Sequence, residues 1–450
     1  MVYNSKHSNN RVNYFIRKHF FLLFLCLNAF FGGIYYIRGR TEEEINLVSS
    51  TTNTRISNTI LSQQQHNQSV IKTNKAIDFI KNTLKDEYNQ DDLMKFYNHV
   101  QREYSLGLKC ARMQNISKTM AIYNSTNQIE NNTGIISTRA SSSSSILISS
   151  QRYQSSRRFQ RTDLYTFIID NSDACLNELV DLLIIIISKS DNYQTRDAVR
   201  RTWASGKDLG IYSTINVKYL FLIDYNEKLI HHIRLENNLF HDIIQVELLQ
   251  EYTLVTHRVL SLFEWSFRYC RTAKFLFKTD DDIFINLLLL LKFISPLIKQ
   301  PTNNSFLISD MNIYGYKHEN SLVFRHSKNS VTGRYIVTYD EYSCKQYPTF
   351  LSGFGYLVSK KARDAILYTA YQDPEPFRIS DVYLTGIIPD YLSIPRQSLS
   401  DYKIEFTRSC DDFFRHSKAF ACADSIHHGN TSDTFSKFNQ YWQLIKNKHI

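Results

Sequence analysis

The chain has 450 residues, 43% of them hydrophobic and 14% aromatic, which exceeds the needs of one small domain and is ample for a well-buried core. Its net charge of +10 would suit a nucleic-acid surface, but Lys6, Arg11, Arg17, Lys18, Arg38 and Arg40 place six of those charges in residues 1–40, where no acid offsets them. The remainder is close to balanced, so the basic face that nucleic acid requires is missing and no nucleic-acid partner is expected.

Residues 1–19 read as a short basic tail. Phe20 to Ile37, FFLLFLCLNAFFGGIYYI, is uncharged over 18 residues, close to the roughly 20 that span a bilayer. Tyr35 and Tyr36 suit the interface, and the basic residues that precede the run predict an inside N-terminus. A cleaved leader would have a shorter apolar core and end in a small-x-small site, so residues 20–37 are read as an uncleaved signal-anchor with the rest of the chain lumenal. Six cysteines lie beyond it, Cys110, Cys175, Cys270, Cys344, Cys410 and Cys422. An even number in an oxidising compartment invites disulfides, of which about 15 connectivities are possible. Sequons begin at Asn67, Asn115, Asn124, Asn131, Asn303 and Asn430.

Residues 38–160 are rich in Ser, Thr, Asn and Gln, with five consecutive serines at Ser141–Ser145, and read as a partly disordered stem. Within them, Ile77, Ile80 and Leu84 have helix-like spacing and predict local folding between Lys75 and Cys110. Residues 161–450 have another texture. Apolar, β-branched runs in Leu179–Ser190, Val217–Tyr225 and KFLFKTDDD (Lys274–Asp282) predict strands. An amphipathic stretch, Arg196–Trp203, and a long helical region, Leu248–Tyr269, lie between them. Buried strands alternating with helices predict an α/β domain with a mostly parallel sheet, whose ligands bind beyond the carboxyl ends of its strands.

FKTDDDIFIN (Phe277–Asn286) puts Asp280, Asp281 and Asp282 at such an end. Three adjacent carboxylates repel one another, so they want a cation or water. A hard divalent ion such as Mn²⁺ or Mg²⁺ takes carboxylate oxygens and shares itself with a ligand's phosphates, so one or two protein carboxylates suffice beside a diphosphate. No Walker-type loop is present, which argues against a P-loop enzyme. Arg196 and Arg200, four apart on one helix face, have forks that suit a diphosphate, and Trp203 would stack or pack; a solvated basic helix end with a core tryptophan would give the same pattern.

SKSDNYQTRDAVRRTW (Ser188–Trp203), the aspartate run, YPTFLSGFGYLVS (Tyr347–Ser359) and SDVYLTG (Ser380–Gly386) together resemble, in order, the motifs of the β-1,3-galactosyltransferase and β-1,3-N-acetylglucosaminyltransferase family, glycosyltransferase family 31. IYGYK (Ile313–Lys317) and GRYIVT (Gly333–Thr338) resemble intervening pieces, and the resemblance runs from about Leu182 to Trp442. It implies a GT-A fold, a UDP-sugar donor, Mn²⁺ (or Mg²⁺), and inverting transfer of a hexose or N-acetylhexosamine to the 3-hydroxyl of a glycan on a glycoprotein or glycolipid. The anchor and stem match that family's type II layout in the Golgi membrane.

By the same resemblance Asp282 is the direct metal ligand, with Asp280 and Asp281 supporting metal or ribose. Asp381 is the base that deprotonates the acceptor, where its alternative is a helix cap. Gly353 and Gly355 allow backbone to approach the sugars, where their alternative is a strand bulge. A late histidine ahead of Trp442, His427 in preference to His428, completes the metal site. The sequence departs from the pattern at Leu254, Arg258 and Val259, in place of Asn, Lys and Thr, and at Ser380, in place of Glu. The competing class is an inactive, lectin-like or scaffold relative of the same fold; retention of the three aspartates, both arginines and Asp381 favours the enzyme.

Overall fold

A computed structural model of the chain describes residues 75–105, 163–208, 214–300, 303–326, 333–373, 376–402, 405–407, 419–423 and 431–449. All of them belong to the compact unit Lys72–Ile450. The Phe20–Ile37 run lies outside the described residues; among those described, no helix is long and apolar enough to cross a membrane. Of the six sequons only Asn303 is described, and it is exposed.

Strand β2 (Leu182–Ile187) shows why an unbroken apolar run becomes a strand here. Leu183 and Ile185 enter one core cluster, while Leu182, Ile184 and Ile186 enter another on the opposite face of the sheet. With β3 (Val217–Tyr225), β4 (Ile243–Leu249) and β5 (Phe275–Asp280) it forms the parallel centre of an eight-stranded sheet. The full order is β1 (Phe167–Ile169), β4, β3, β2, β5, then β8 (Phe350–Ser359), β7 (Ile313–His318) and β9 (Arg396–Ser398). β1 is antiparallel to β4, β8 to β5, and β7 to β8, while β9 runs parallel to β7. The sheet is therefore mixed and mostly parallel at its centre, the α/β class expected. A small second sheet joins β10 (Glu405–Thr407), β11 (Ala419–Ala423) and β6 (Ile283–Ile285). The helix expected from Leu248 begins later. Residues Ile243–Leu249 are strand β4, because its buried Ile, Ile and Val pair with β3, and the helix proper is Val255–Tyr269.

The chain leaves β2 for β3 and β4 on one side, then crosses to β5 on the other. Ile187 and Asp280 pair in register at the carboxyl ends of β2 and β5, so the aspartate run sits at the topological switch point.

The stem boundary at residue 160 needs correction. A helix through 75–87 and the helix Gln90–Ser105 bury Ile80, Leu84, Leu93 and Phe96 in the main core cluster. Phe96 packs 5.0 Å from Phe306 and 5.6 Å from Tyr368 between ring centroids. Glu87 takes Arg271 at 2.8 Å and Lys360 at 2.8 Å, and the Tyr88 hydroxyl donates to Asp364 at 2.8 Å. The helical spacing expected between Lys75 and Cys110 is present, but these helices pack into the main core cluster, which their polar flanks do not announce. Cys175 is bonded to Cys270, and Cys344 and Cys422 are also in disulfides. A fragment that starts at residue 161 is expected to melt well below one that starts at 72, and Leu84→Ala to cost about 2–5 kcal/mol. Equal denaturation midpoints for the two fragments would show that the helices are dispensable.

Candidate active site

Strand β5 ends at Asp280 and β6 begins at Ile283, so Asp281 and Asp282 form the turn between two buried strands. Asp280 accepts a 2.7 Å bond from the ammonium of Lys278, which is 4% exposed and also donates to the Gly353 carbonyl at 2.5 Å. Lys278 and Asp280 are two apart in a strand, hence on one face. Asp281 accepts from the Ser188 hydroxyl at 2.7 Å and from the Asn192 amide at 3.0 Å, and its backbone amide bonds the Ile187 carbonyl. Asp282 is half-buried.

Burial pushes the Asp281 carboxyl up to about 7, reinforced by the charges of Asp282 and Asp280 and opposed by Ser188 and Asn192. Asp280 is raised as well, chiefly by burial, with Lys278 opposing and the charges of Asp282 and Asp381 adding to it. The cluster thus holds more negative charge than its own lysine offsets.

Asp381 lies in the first turn of the helical segment 380–392, whose N-cap is Ile379, so it is not the capping residue. Its carboxylate accepts from the amides of Val382, at 3.1 Å, and Gly353. It too is raised, mainly by burial, with Lys278 and these amides opposing. A Cβ on Gly353 would lie 3.6 Å from the Asp381 carboxylate, whereas one on Gly355 would meet the Phe277 ring at 2.9 Å. Gly353 therefore borders the carboxylate, and Gly355 lets β8 close against β5.

Three expected donor contacts are corrected. The Arg196 guanidinium is 1% exposed and grips Glu236 at 2.8 and 2.7 Å while donating to the Ser188 hydroxyl at 3.0 Å and the Lys189 carbonyl at 2.6 Å. Arg200 is held by Asp242 at 2.8 Å and Glu236 at 2.7 Å, against the rings of Phe221 and Phe240. Trp203 is fully buried in the apolar cluster with Ile184 and Ile186. The arginines lie beneath the site and act on it through Ser188; their acidic partners sit some 40 residues away in sequence, outside any local pattern. Lys278, Ser188 and Asn192 were not singled out from the sequence. For Lys278 the signal was its place two residues ahead of Asp280 on the same strand face.

His427 lies outside the described residues. Among those described, no group of three or more His, Cys, Asp or Glu side chains is placed to hold a metal ion by itself. The carboxylate run does fit an open site, because its uncompensated charge and oxygen donors suit a hard cation that shares its shell with a diphosphate. In cation-free protein, Asp281 is protonated when folded and ionised when unfolded between pH about 4 and about 7. Its contribution to stability is full below the unfolded value and lost as pH rises through the folded one. Asp281→Asn should therefore gain stability relative to wild type across that window in chelator. A pH-independent difference in denaturation midpoint would remove this assignment.

Residues 194–400 match the galactosyltransferase family model. The lactosylceramide 1,3-N-acetyl-β-D-glucosaminyltransferase of Xenopus tropicalis is 28% identical over 239 residues, covering 50% of this chain and 60% of that protein. The human protein of the same name is 28% identical over 236 residues, with the same coverage. The β-1,3-galactosyltransferase bre-2 of Caenorhabditis elegans is 27% identical over 223 residues, covering 49% and 60%. The match thus spans about three fifths of the length of these relatives. A solved glycosyltransferase involved in glycosylation of the PBCV-1 major capsid overlays 58% of this chain and 99% of its own, at 12% identity and a TM-score of 0.31, a likeness too loose to build on. The likeness over residues 194–400 is thus to the galactosyltransferase family, and the relatives compared above carry the names of β-1,3-glycosyltransferases.

Proposed function

We propose that this chain is an inverting, UDP-sugar-dependent β-1,3-hexosyltransferase with a GT-A fold, acting on a glycan of a glycoprotein or glycolipid. The observation that carries the reading is the meeting of the aspartate run with Asp381, with Lys278 and Gly353 between them. Asp282, supported by Asp280, Asp281 and His427, would hold Mn²⁺ or Mg²⁺, which when bound neutralises the departing diphosphate. Asp381 takes the acceptor hydroxyl's proton as that oxygen bonds the anomeric carbon from the face opposite UDP. The electron pair of the breaking C–O bond passes to the UDP phosphate oxygen. A carboxylate whose affinity for protons is raised by burial suits the base role. Arg196 and Arg200 keep the Ser188 loop in place under Asp281 without touching the donor. The Phe20–Ile37 run and the sequons support a single-pass type II anchor in the Golgi membrane.

Asp381→Asn should lower transfer about 10²-fold or more with UDP-sugar binding retained, because the amide cannot accept the proton. Asp282→Ala should cost roughly 10³-fold in turnover together with loss of Mn²⁺ dependence. Steady-state rates beside donor titrations separate the two; near-normal transfer by Asp381→Asn would move the base elsewhere. Glycosidase treatment of cell-expressed protein should lower its apparent mass, and a chain unaffected by glycosidase and protease-sensitive on the cytosolic side of sealed vesicles would contradict the topology.

A further inference from the structure

Beside Asp381 stands a cluster that none of the steps above uses. Tyr252 and Tyr335 are 40% and 38% exposed, an unusual state for two adjacent large rings. Their rings meet edge to face, with centroids 6.0 Å apart and planes at 88°. The Arg334 guanidinium rests 5.0 Å from both centroids. Arg334 is exposed, and among the described residues no ion pair to a carboxylate is formed by it.

Two ties fix this cluster to the segment that carries the base. Arg378, three residues before Asp381, donates to the Arg334 carbonyl at 2.7 Å, bonds the Ile336 carbonyl, and is anchored by Glu341 at 2.8 Å. The Thr256 hydroxyl donates to the Phe377 carbonyl at 2.7 Å, which holds the turn containing Tyr252 against the same segment. The Tyr252 hydroxyl is raised by burial and by Tyr335, and also by the charge of Asp381, in keeping with that proximity.

Resting on the transferase reading above, we infer that Tyr252, Arg334 and Tyr335 form the acceptor subsite and grip a neutral pyranose whose hydroxyl is delivered to Asp381. A pyranose ring offers an apolar C–H face to exposed aromatic rings and pairs of adjacent hydroxyls to a guanidinium fork. Seating the guanidinium on two rings fixes its side chain in advance, which lowers the ordering cost of binding. The carboxylates of Asp280, Asp281, Asp282 and Asp381 make the surroundings negative, which selects against an anionic acceptor and for a neutral glycan.

The test uses the full chain with Mn²⁺, a UDP-sugar that it turns over, and neutral lactosides and N-acetyllactosaminides as acceptor probes. Arg334→Gln and Tyr335→Ala, both at exposed positions, should each raise the acceptor KM about 10-fold or more. The donor KM, and the Kd for UDP titrated without acceptor, should stay within twofold. Tyr252→Phe should give a smaller rise, because the ring remains. An unchanged acceptor KM in both Arg334→Gln and Tyr335→Ala, with wild type transferring normally, overturns the subsite and leaves the transferase reading standing. A rise confined to the donor KM overturns it too, since the cluster then serves the nucleotide sugar. Wild-type protein that cleaves UDP-sugar but transfers to no acceptor overturns the transferase reading, and the subsite with it.

Discussion

Three adjacent carboxylates at the end of a buried strand repel one another, and the surrounding structure is arranged around that repulsion. Asp280 is met by Lys278, and Asp281 by the donors of Ser188 and Asn192. A hydrogen bond to a charged group contributes about 1.5–3 kcal/mol, which softens the burial of these charges without cancelling it. The shifts of Asp280 and Asp281 record what is left over. Behind Ser188 the charges alternate: Arg196 bonds Ser188 and Glu236, Glu236 also takes Arg200, and Arg200 takes Asp242. Each of these buried charges has an opposite neighbour. Deleting one partner would strand the next, at about 3–5 kcal/mol.

On the other side of the run, one residue does two jobs. The Gly353 carbonyl receives the Lys278 ammonium, and its amide donates to Asp381. Asp280, through Lys278, and Asp381 are thereby linked by a single residue of β8. That link holds only if β8 stays zipped to β5, with Thr279 opposite Gly355 and Phe277 opposite Leu357. Gly355 makes the zipper possible, because any Cβ there would strike the Phe277 ring. The Gly-x-Gly pattern thus has two separate causes, one at the site and one in the packing.

Much of the central sheet was legible because its strands are buried on both faces and therefore read as unbroken apolar runs; β3 spans the same Val217–Tyr225 that its sequence marks out. The aspartate run was legible because strand end and acidic triplet are adjacent in the chain. The arginines were placed on the right helix and given the wrong task. A diphosphate and a pair of buried carboxylates ask for the same guanidinium, and Glu236 and Asp242 reach it only through the fold. Lys278 was overlooked because an isolated lysine in a strand reads as a solvated residue. The helices at 75–105 were only half legible: their apolar spacing was visible, but nothing local shows that Glu87 meets Arg271 and Lys360 across nearly 200 residues of chain or more.

Those helices also bear on the site from a distance. Val255–Tyr269 is a single helix of 15 residues, about 22 Å long at 1.5 Å per residue. At its C-terminal end Cys270 is tied to Cys175, and Arg271 is locked by Glu87 and Asp364. At its N-terminal end Thr256 holds the segment leading to Asp381, and the turn before it presents Tyr252. Between the two, Phe263, Trp265 and Phe267 are wholly buried, so the helix has no room to slide or rock without opening the core. Packing the two N-terminal helices against one end of this rod therefore constrains the other end, where Tyr252 and the segment leading to Asp381 stand. A stretch that composition assigns to a spacer is in this way part of what holds Tyr252 and the Asp381 segment in register with the aspartate run.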